Sequence, residues 1–172
     1  MPDSAALARD LLRTFRSQKS LADKALAQVS DGTFSAPREA ETDPIGVTVK
    51  HVGGNLRSRW RDFLTTDGEK DDRNRDGEFE LGSDDRAALM ALWESGWETL
   101  FDALAELETA DWSATVTIRG EPHTVALAAL RSLAPTSYHV GQIVHVAKHA
   151  AGADWKTLSI PRGGSAQFRP AR

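Results

Sequence analysis

The chain contains no cysteine, so nucleophilic, acid–base or metal-ligating chemistry falls first to its histidines. These are His51, His123, His139, His145 and His149. Imidazole titrates near neutral pH, and its ring nitrogens serve as bases or as metal ligands. His51 lies beside the apolar stripe of a helical stretch, and Asn55 follows one turn later on the same edge. His139 is followed by Gln142 and Ile143, so His139 and Gln142 share a face that also carries apolar side chains. Two helices that each turn a histidine and an amide inward can build a metal site in a bundle core, or a general-base site. The same pattern also suits two core-edge histidines, each satisfied by a hydrogen bond. At about 100° per residue, His145 points about 120° away from His139 and His149 about 80° away. Neither is a natural third ligand. His123 falls at the expected start of a helix and is expected to be exposed.

The run Asp72-Arg73-Asn74-Arg75-Asp76-Gly77 has the D-x-N-x-D-G spacing of a calcium loop, with Glu78 and Glu80 at the next ligand positions. Ser83 stands where the bidentate glutamate belongs, and two arginines inside the loop repel a dication. A hydrogen-bonded, charged loop is the expected state, with calcium binding through Asp72, Asn74 and Asp76 as the alternative. Arg57, Arg59 and Arg61 alternate along a helix, point to different sides and suit pairing with the acidic loop. The tryptophans sit mostly on apolar stripes, where core packing explains them better than a stacking platform does. No phosphate loop, nucleophile elbow or HExxH motif is present, and Arg162-Gly163-Gly164-Ser165 is too short for a phosphate cradle.

The elements that must position these residues are mainly helical. Leu7, Leu11, Leu12, Phe15, Leu21, Ala25 and Leu26 predict a first helix from Ser4 to about Val29. A polar loop follows over 31–43. Asp43 as cap with Pro44 at the first helical position opens a second helix, whose stripe is Ile45, Val49, Val52, Leu56, Trp60 and Phe63. A charged loop ends at Ser83, expected to cap a third helix carrying Leu89, Trp93, Trp97, Leu100, Phe101, Leu104 and Leu107. Val116, Thr117 and Ile118 predict a short strand between 111 and 120. The last helix begins near Pro122 and runs toward Lys148, with Gly152 beyond its end and a kink or break at Pro135.

The 172 residues suffice for one domain, spanning 1–172, and are too few for two well-cored ones. Lysines and arginines number 21 against 25 acidic residues, a net charge of −4. That balance argues against nucleic acid or an anionic membrane as the main partner. No apolar run reaches the roughly 18 residues of a membrane span. The N-terminus lacks a signal-peptide core, and the absence of cysteine fits a reducing, cytoplasmic setting.

Several multi-residue stretches carry a resemblance: Ile45-Gly46-Val47-Thr48-Val49-Lys50-His51 with Gly54-Asn55, Ser58-Arg59-Trp60, and Phe63 through Lys70. Arg73-Asn74-Arg75-Asp76 with Glu78-Phe79-Glu80, Tyr138-His139-Val140-Gly141-Gln142-Ile143 and Ser159-Ile160-Pro161-Arg162-Gly163 complete it. On these the chain resembles the DinB-like superfamily of bacterial four-helix bundles, and most closely a family within it known only as a domain of unknown function. The resemblance implies an all-α, up-down-down-up bundle, commonly a homodimer. It also implies a nickel or zinc site of three histidines, one on the second helix and an H-x-x-x-H pair on the fourth. Relatives include metal-dependent thiol transferases and isomerases. Carried over by position, His51 matches the first ligand and His139 the last, with Asn55 and Gln142 as supporting or substrate contacts. The middle ligand falls at Pro135, which has no donor atom. A metal-dependent transferase or hydrolase acting on a small thiol-linked or electrophilic substrate is one expectation. A non-catalytic bundle that binds a small ligand or serves as an interaction module, having lost its metal, is the other.

Overall fold

The computed structural model describes residues 4–36 and 43–167. Among them are five α-helices, α1 (Ser4–Leu26), α2 (Asp31–Ser35), α3 (Ile45–Trp60), α4 (Arg86–Glu106) and α5 (Val125–Ala151), with a hairpin of β1 (Thr115–Ile118) and β2 (Glu121–Thr124). The chain is thus mostly helical, and none of its helices is long and apolar enough to cross a membrane. α3 packs on α4 and α5, and α1 packs on α4 and α5. Each long helix therefore buries its apolar stripe against two others, which none could do alone.

Periodicity located the long helices, and the deviations lie at their ends. α1 stops at Leu26 because Arg86, from the start of α4, donates to the carbonyls of Leu26 at 2.8 Å and Val29 at 2.9 Å. The guanidinium shares the Leu26 carbonyl with the Val29 amide, 3.3 Å away, and so helps to satisfy the helix end. The expected loop after it contains α2, capped by the Ser30 hydroxyl on the Thr33 amide, with Phe34 buried under the Arg86 guanidinium. Pro44, not Asp43, occupies the cap position of α3. Every residue of the α3 stripe is buried, although the helix ends at Trp60 and Phe63 returns from the following turn to stack on it at 4.6 Å. Asp85 caps α4 in place of Ser83, accepting from the Ala88 amide at 2.8 Å.

Two glycines set a close contact between α3 and α4. A Cβ on Gly96 of α4 would lie 2.4 Å from the Gly53 carbonyl oxygen of α3, so the two backbones touch there. Around this contact the core gathers Trp60, Trp93 and Trp97, with the Phe15 ring edge-on to Trp60 and Trp97. The indole N–H of Trp60 donates to Ser132 and that of Trp93 to Asp23.

The extended segment is a hairpin rather than one strand, because Arg119 and Gly120 both adopt positive φ, 56° and 74°, the geometry that matches strand twist in a two-residue turn. Asp67 secures that turn, accepting from the Arg119 and Gly120 amides at 2.8 Å. Partial burial works to raise the Asp67 pKa, but backbone amides from Glu69, Gly120 and Arg119 outweigh it and hold it at about 2. Pro122 lies inside β2, and Thr124 caps α5 on the Leu127 amide. α5 runs unbroken through Pro135 to Gly152, whose φ of 55° ends it. Packing on α1 and α3 outweighs the one backbone hydrogen bond that Pro135 removes.

Candidate functional site

The α3–α5 contact brings His51 and His139 together. Their ring centroids are 5.0 Å apart at an interplanar angle of 71°. Each ring has its Nδ1 engaged. Nδ1 of His51 donates to Oε2 of Glu78 at 2.9 Å, and Nδ1 of His139 donates to Oε1 of Gln142 at 2.8 Å, three residues on along α5. In the neutral tautomers these bonds set, both Nε2 atoms carry a free lone pair.

Glu78 is the residue at this candidate site that motif spacing misplaced. It sits in a 3-10 turn, Asp76–Phe79, and is 5% exposed. Its carboxylate also accepts from Arg73, Nε to Oε1 at 2.8 Å and Nη2 to Oε2 at 2.7 Å, and Arg73 in turn reaches Glu69 at 3.2 Å. Asn55, with its amide oxygen turned to the guanidinium, accepts from Arg73 Nη1 at 3.2 Å. Gly54 makes the space: a Cβ there would lie 2.3 Å from Oε1 of Glu78. Burial alone would raise the Glu78 carboxyl, but the hydrogen bonds and charge of Arg73 and His51 overcome it and hold it below the usual carboxylate range. On His139 burial is the largest influence and lowers its pKa from 6.5. Gln142 works the other way, and His51 adds to the lowering.

In front of the pair lies a cavity of about 570 Å³, walled by Phe79, Tyr138 and His145 as well as the two histidines and Gln142. The Phe79 ring lies 4.8 Å from His51 and the Tyr138 ring 4.1 Å from His139. Behind the pair a second void of about 30 Å³ is bounded by His51, Asn55, Pro135, Thr136 and His139. It has room for a water or a small ion.

The residues present do not make a three-histidine centre. The position one turn before His139 is Pro135, which has no donor atom. Among the described residues no group of three or more His, Asp or Glu is arranged to hold a metal. Two of the D-x-N-x-D-G side chains are otherwise engaged, Asp72 by Arg61 at 2.9 and 2.6 Å and Asn74 on the Gly77 amide, while Asp76 points into solvent with only Arg75 nearby among the described residues, at 3.8 Å. The expected charged, hydrogen-bonded loop is what forms. Arg61 pairs with it as expected, whereas Arg59 is buried and its Nε has no hydrogen-bond partner. His123 is buried in β2 rather than exposed, held between the Glu121 carbonyl and Arg131.

Residues 4–164 match the model of DUF1572, a family of proteins of unknown function, and the chain belongs to that family. No curated protein and no solved structure matches it.

Proposed function

We propose that the α3–α5 pocket is a small-molecule site built on the His51–His139 pair. In this reading the two Nε2 atoms hold one divalent cation, nickel or zinc, and leave its other positions to water or substrate. The observation that carries it is the double orientation of the rings, each with Nδ1 tied back and Nε2 left free. Imidazoles that ligate a metal are held this way, by a carboxylate or carbonyl on the far nitrogen. A cation there polarises an electrophile or lowers the pKa of a thiol or water, which suits a transferase or hydrolase acting on a small thiol-linked or electrophilic substrate.

The chain's own groups do the remaining work. Glu78 fixes the tautomer of His51 and is itself kept ionised by Arg73. Burial favours neutral His139, so protons compete weakly for its lone pair. Phe79 and Tyr138 offer ring faces to the apolar part of a substrate. The architecture that carries the pair is, on this reading, a DinB-like four-helix bundle of a bacterial, cytoplasmic protein. The mutual packing of α1, α3, α4 and α5 supports it, as does the lack of cysteine.

Titration of metal-free protein with zinc or nickel, followed by elemental analysis, tests the site. One equivalent is expected in the native chain and none in His51→Ala or His139→Ala, with the helical circular dichroism unchanged. No binding by the native chain would overturn the cation and leave a bundle that binds a small ligand or a protein partner.

A further inference from the structure

Arg59 holds a buried charge that its own chain does not pair. The residue is 9% exposed, and none of its nitrogens makes a hydrogen bond or a close ion pair among the described residues. A Cβ on Gly68 would lie 2.9 Å from its Cδ and 3.3 Å from its Nε, so the loop backbone seals the stem and encloses Nε. The two terminal nitrogens are not enclosed in this way. A charge taken out of water is costly unless a counter-ion or hydrogen bonds compensate it.

The groups around Arg59 are mostly cations. α3 and α5 lie antiparallel, with His51 beside His139 and Trp60 bonded to Ser132, which brings Arg59 to the level of Arg131. Burial is the largest influence on the Arg59 pKa and lowers it. Glu69 works the other way, and Arg131, Arg73 and Arg119 add to the lowering. Arg73 is committed to Glu78 and Glu69. Arg119 and Arg131 are held more loosely, by Glu69 at 3.3 Å and Glu121 at 3.8 Å, in pairs open enough to solvent to be worth little. Buried His123 aims Arg131 from behind. Its Nδ1 donates to the Glu121 carbonyl at 2.9 Å, which leaves Nε2 to accept from Nη1 of Arg131. Arg119 stands in the hairpin turn that Asp67 secures.

We propose that Arg59, Arg131 and Arg119 form a binding site for a phosphate dianion, free or as the end group of a small ester. Guanidinium forks match phosphate oxygens and bind them in pairs. Forks reaching in from α3, α5 and the hairpin turn offer donors in more than one plane, which suits a tetrahedral group better than a flat carboxylate. A dianion also supplies the counter-charge that Arg59 lacks and draws Arg131 from its distant carboxylate. Eight residues along α3 set this site about 12 Å from His51, and it does not depend on what the histidine pair holds.

Calorimetric titration of the metal-free full chain with inorganic phosphate, at constant ionic strength, tests this. One equivalent is expected to bind with a dissociation constant of about 1 mM or tighter, and phosphate is expected to raise the melting temperature. Arg131→Gln, at an exposed position, weakens binding about tenfold or more. Arg59→Met abolishes it and melts no lower than the native chain in phosphate-free buffer, because the substitution removes an uncompensated buried charge. Arg13→Met, exposed on α1, removes the same net charge and leaves binding unchanged. Glycerol phosphate titrated alongside tells the sources apart: tighter binding assigns an ester, weaker binding free phosphate. No uptake by the native chain at about 10 mM phosphate would overturn the proposal, and so would acetate binding as tightly as phosphate. Equal losses in Arg131→Gln and Arg13→Met would overturn it too, whether or not Arg59→Met folds.

Discussion

The two histidines at the site are alike in sequence and are held in place in unlike ways. His139 is oriented from its own helix by Gln142, three residues away and exposed. His51 is oriented by Glu78, 27 residues away, which is held by the buried Arg73 side chain and, through it, by half-buried Glu69 and Asn55, in the space left by Gly54. A local hydrogen bond survives partial loosening of the fold, whereas a buried ionic network depends on the whole loop over 61–85 being in place. One imidazole is therefore autonomous, and the other reports the integrity of the loop behind it.

The sharpest way to break this asymmetry is Arg73→Met. It leaves the Glu78 carboxylate buried and opposed only by His51, and removing one partner of a buried pair costs about 3–5 kcal/mol. The side chains of Arg73 and Glu78 are 4% and 7% exposed, so solvent does little to soften the loss. Urea unfolding should show it, and a change below about 1 kcal/mol would mean that the network is slack. Next in size is the contrast between Glu78→Gln and Gln142→Ala. Loss of an orienting partner typically costs about 10- to 100-fold in metal affinity. The larger loss is expected for Glu78→Gln, and less than about tenfold for Gln142→Ala, whose bond is exposed. Equal losses in a competition titration would erase the distinction drawn here.

The smallest effect is on pH dependence. The folded pKa of His139 lies below its ordinary 6.5, so between those two values the unfolded chain binds the proton more readily. This contribution to stability is present above about pH 6.5 and is lost as pH falls toward the folded pKa. Glu78 behaves alike at lower pH, its contribution present above about 4.5 and lost as pH falls through its depressed folded pKa. Melting temperature should therefore drop between pH 7 and 5, and drop less steeply in His139→Gln. Parallel curves for the two proteins would show that His139 is not the group responsible.

Much of the architecture is legible in the sequence. The stripe Ile45, Val49, Val52, Leu56, Trp60 and Phe63 is buried throughout, because a period near 3.6 puts those positions on one face whatever they pack against. The same reasoning put His51 and His139 each beside an apolar face, and the family resemblance set them in one site. The residue that holds His51 did not. Glu78 lies in a run of charges that resembles a calcium loop, and charge runs are normally solvated, so its burial beside a glycine one helix away had no local signal. The second strand was missed for a related reason: its turn is bonded to Asp67, more than fifty residues earlier.

Short-range regularity was thus enough to establish a mostly helical chain, its apolar faces and the two imidazoles that turn inward, since each depends only on neighbours within a turn or two. The folded chain alone decided that Arg86 ends α1, that Pro135 leaves α5 unbroken, and that Arg73 keeps a buried Glu78 charged behind His51. Those outcomes depend on groups far apart in sequence, where desolvation, packing and ion pairing compete and local preference is the weaker force.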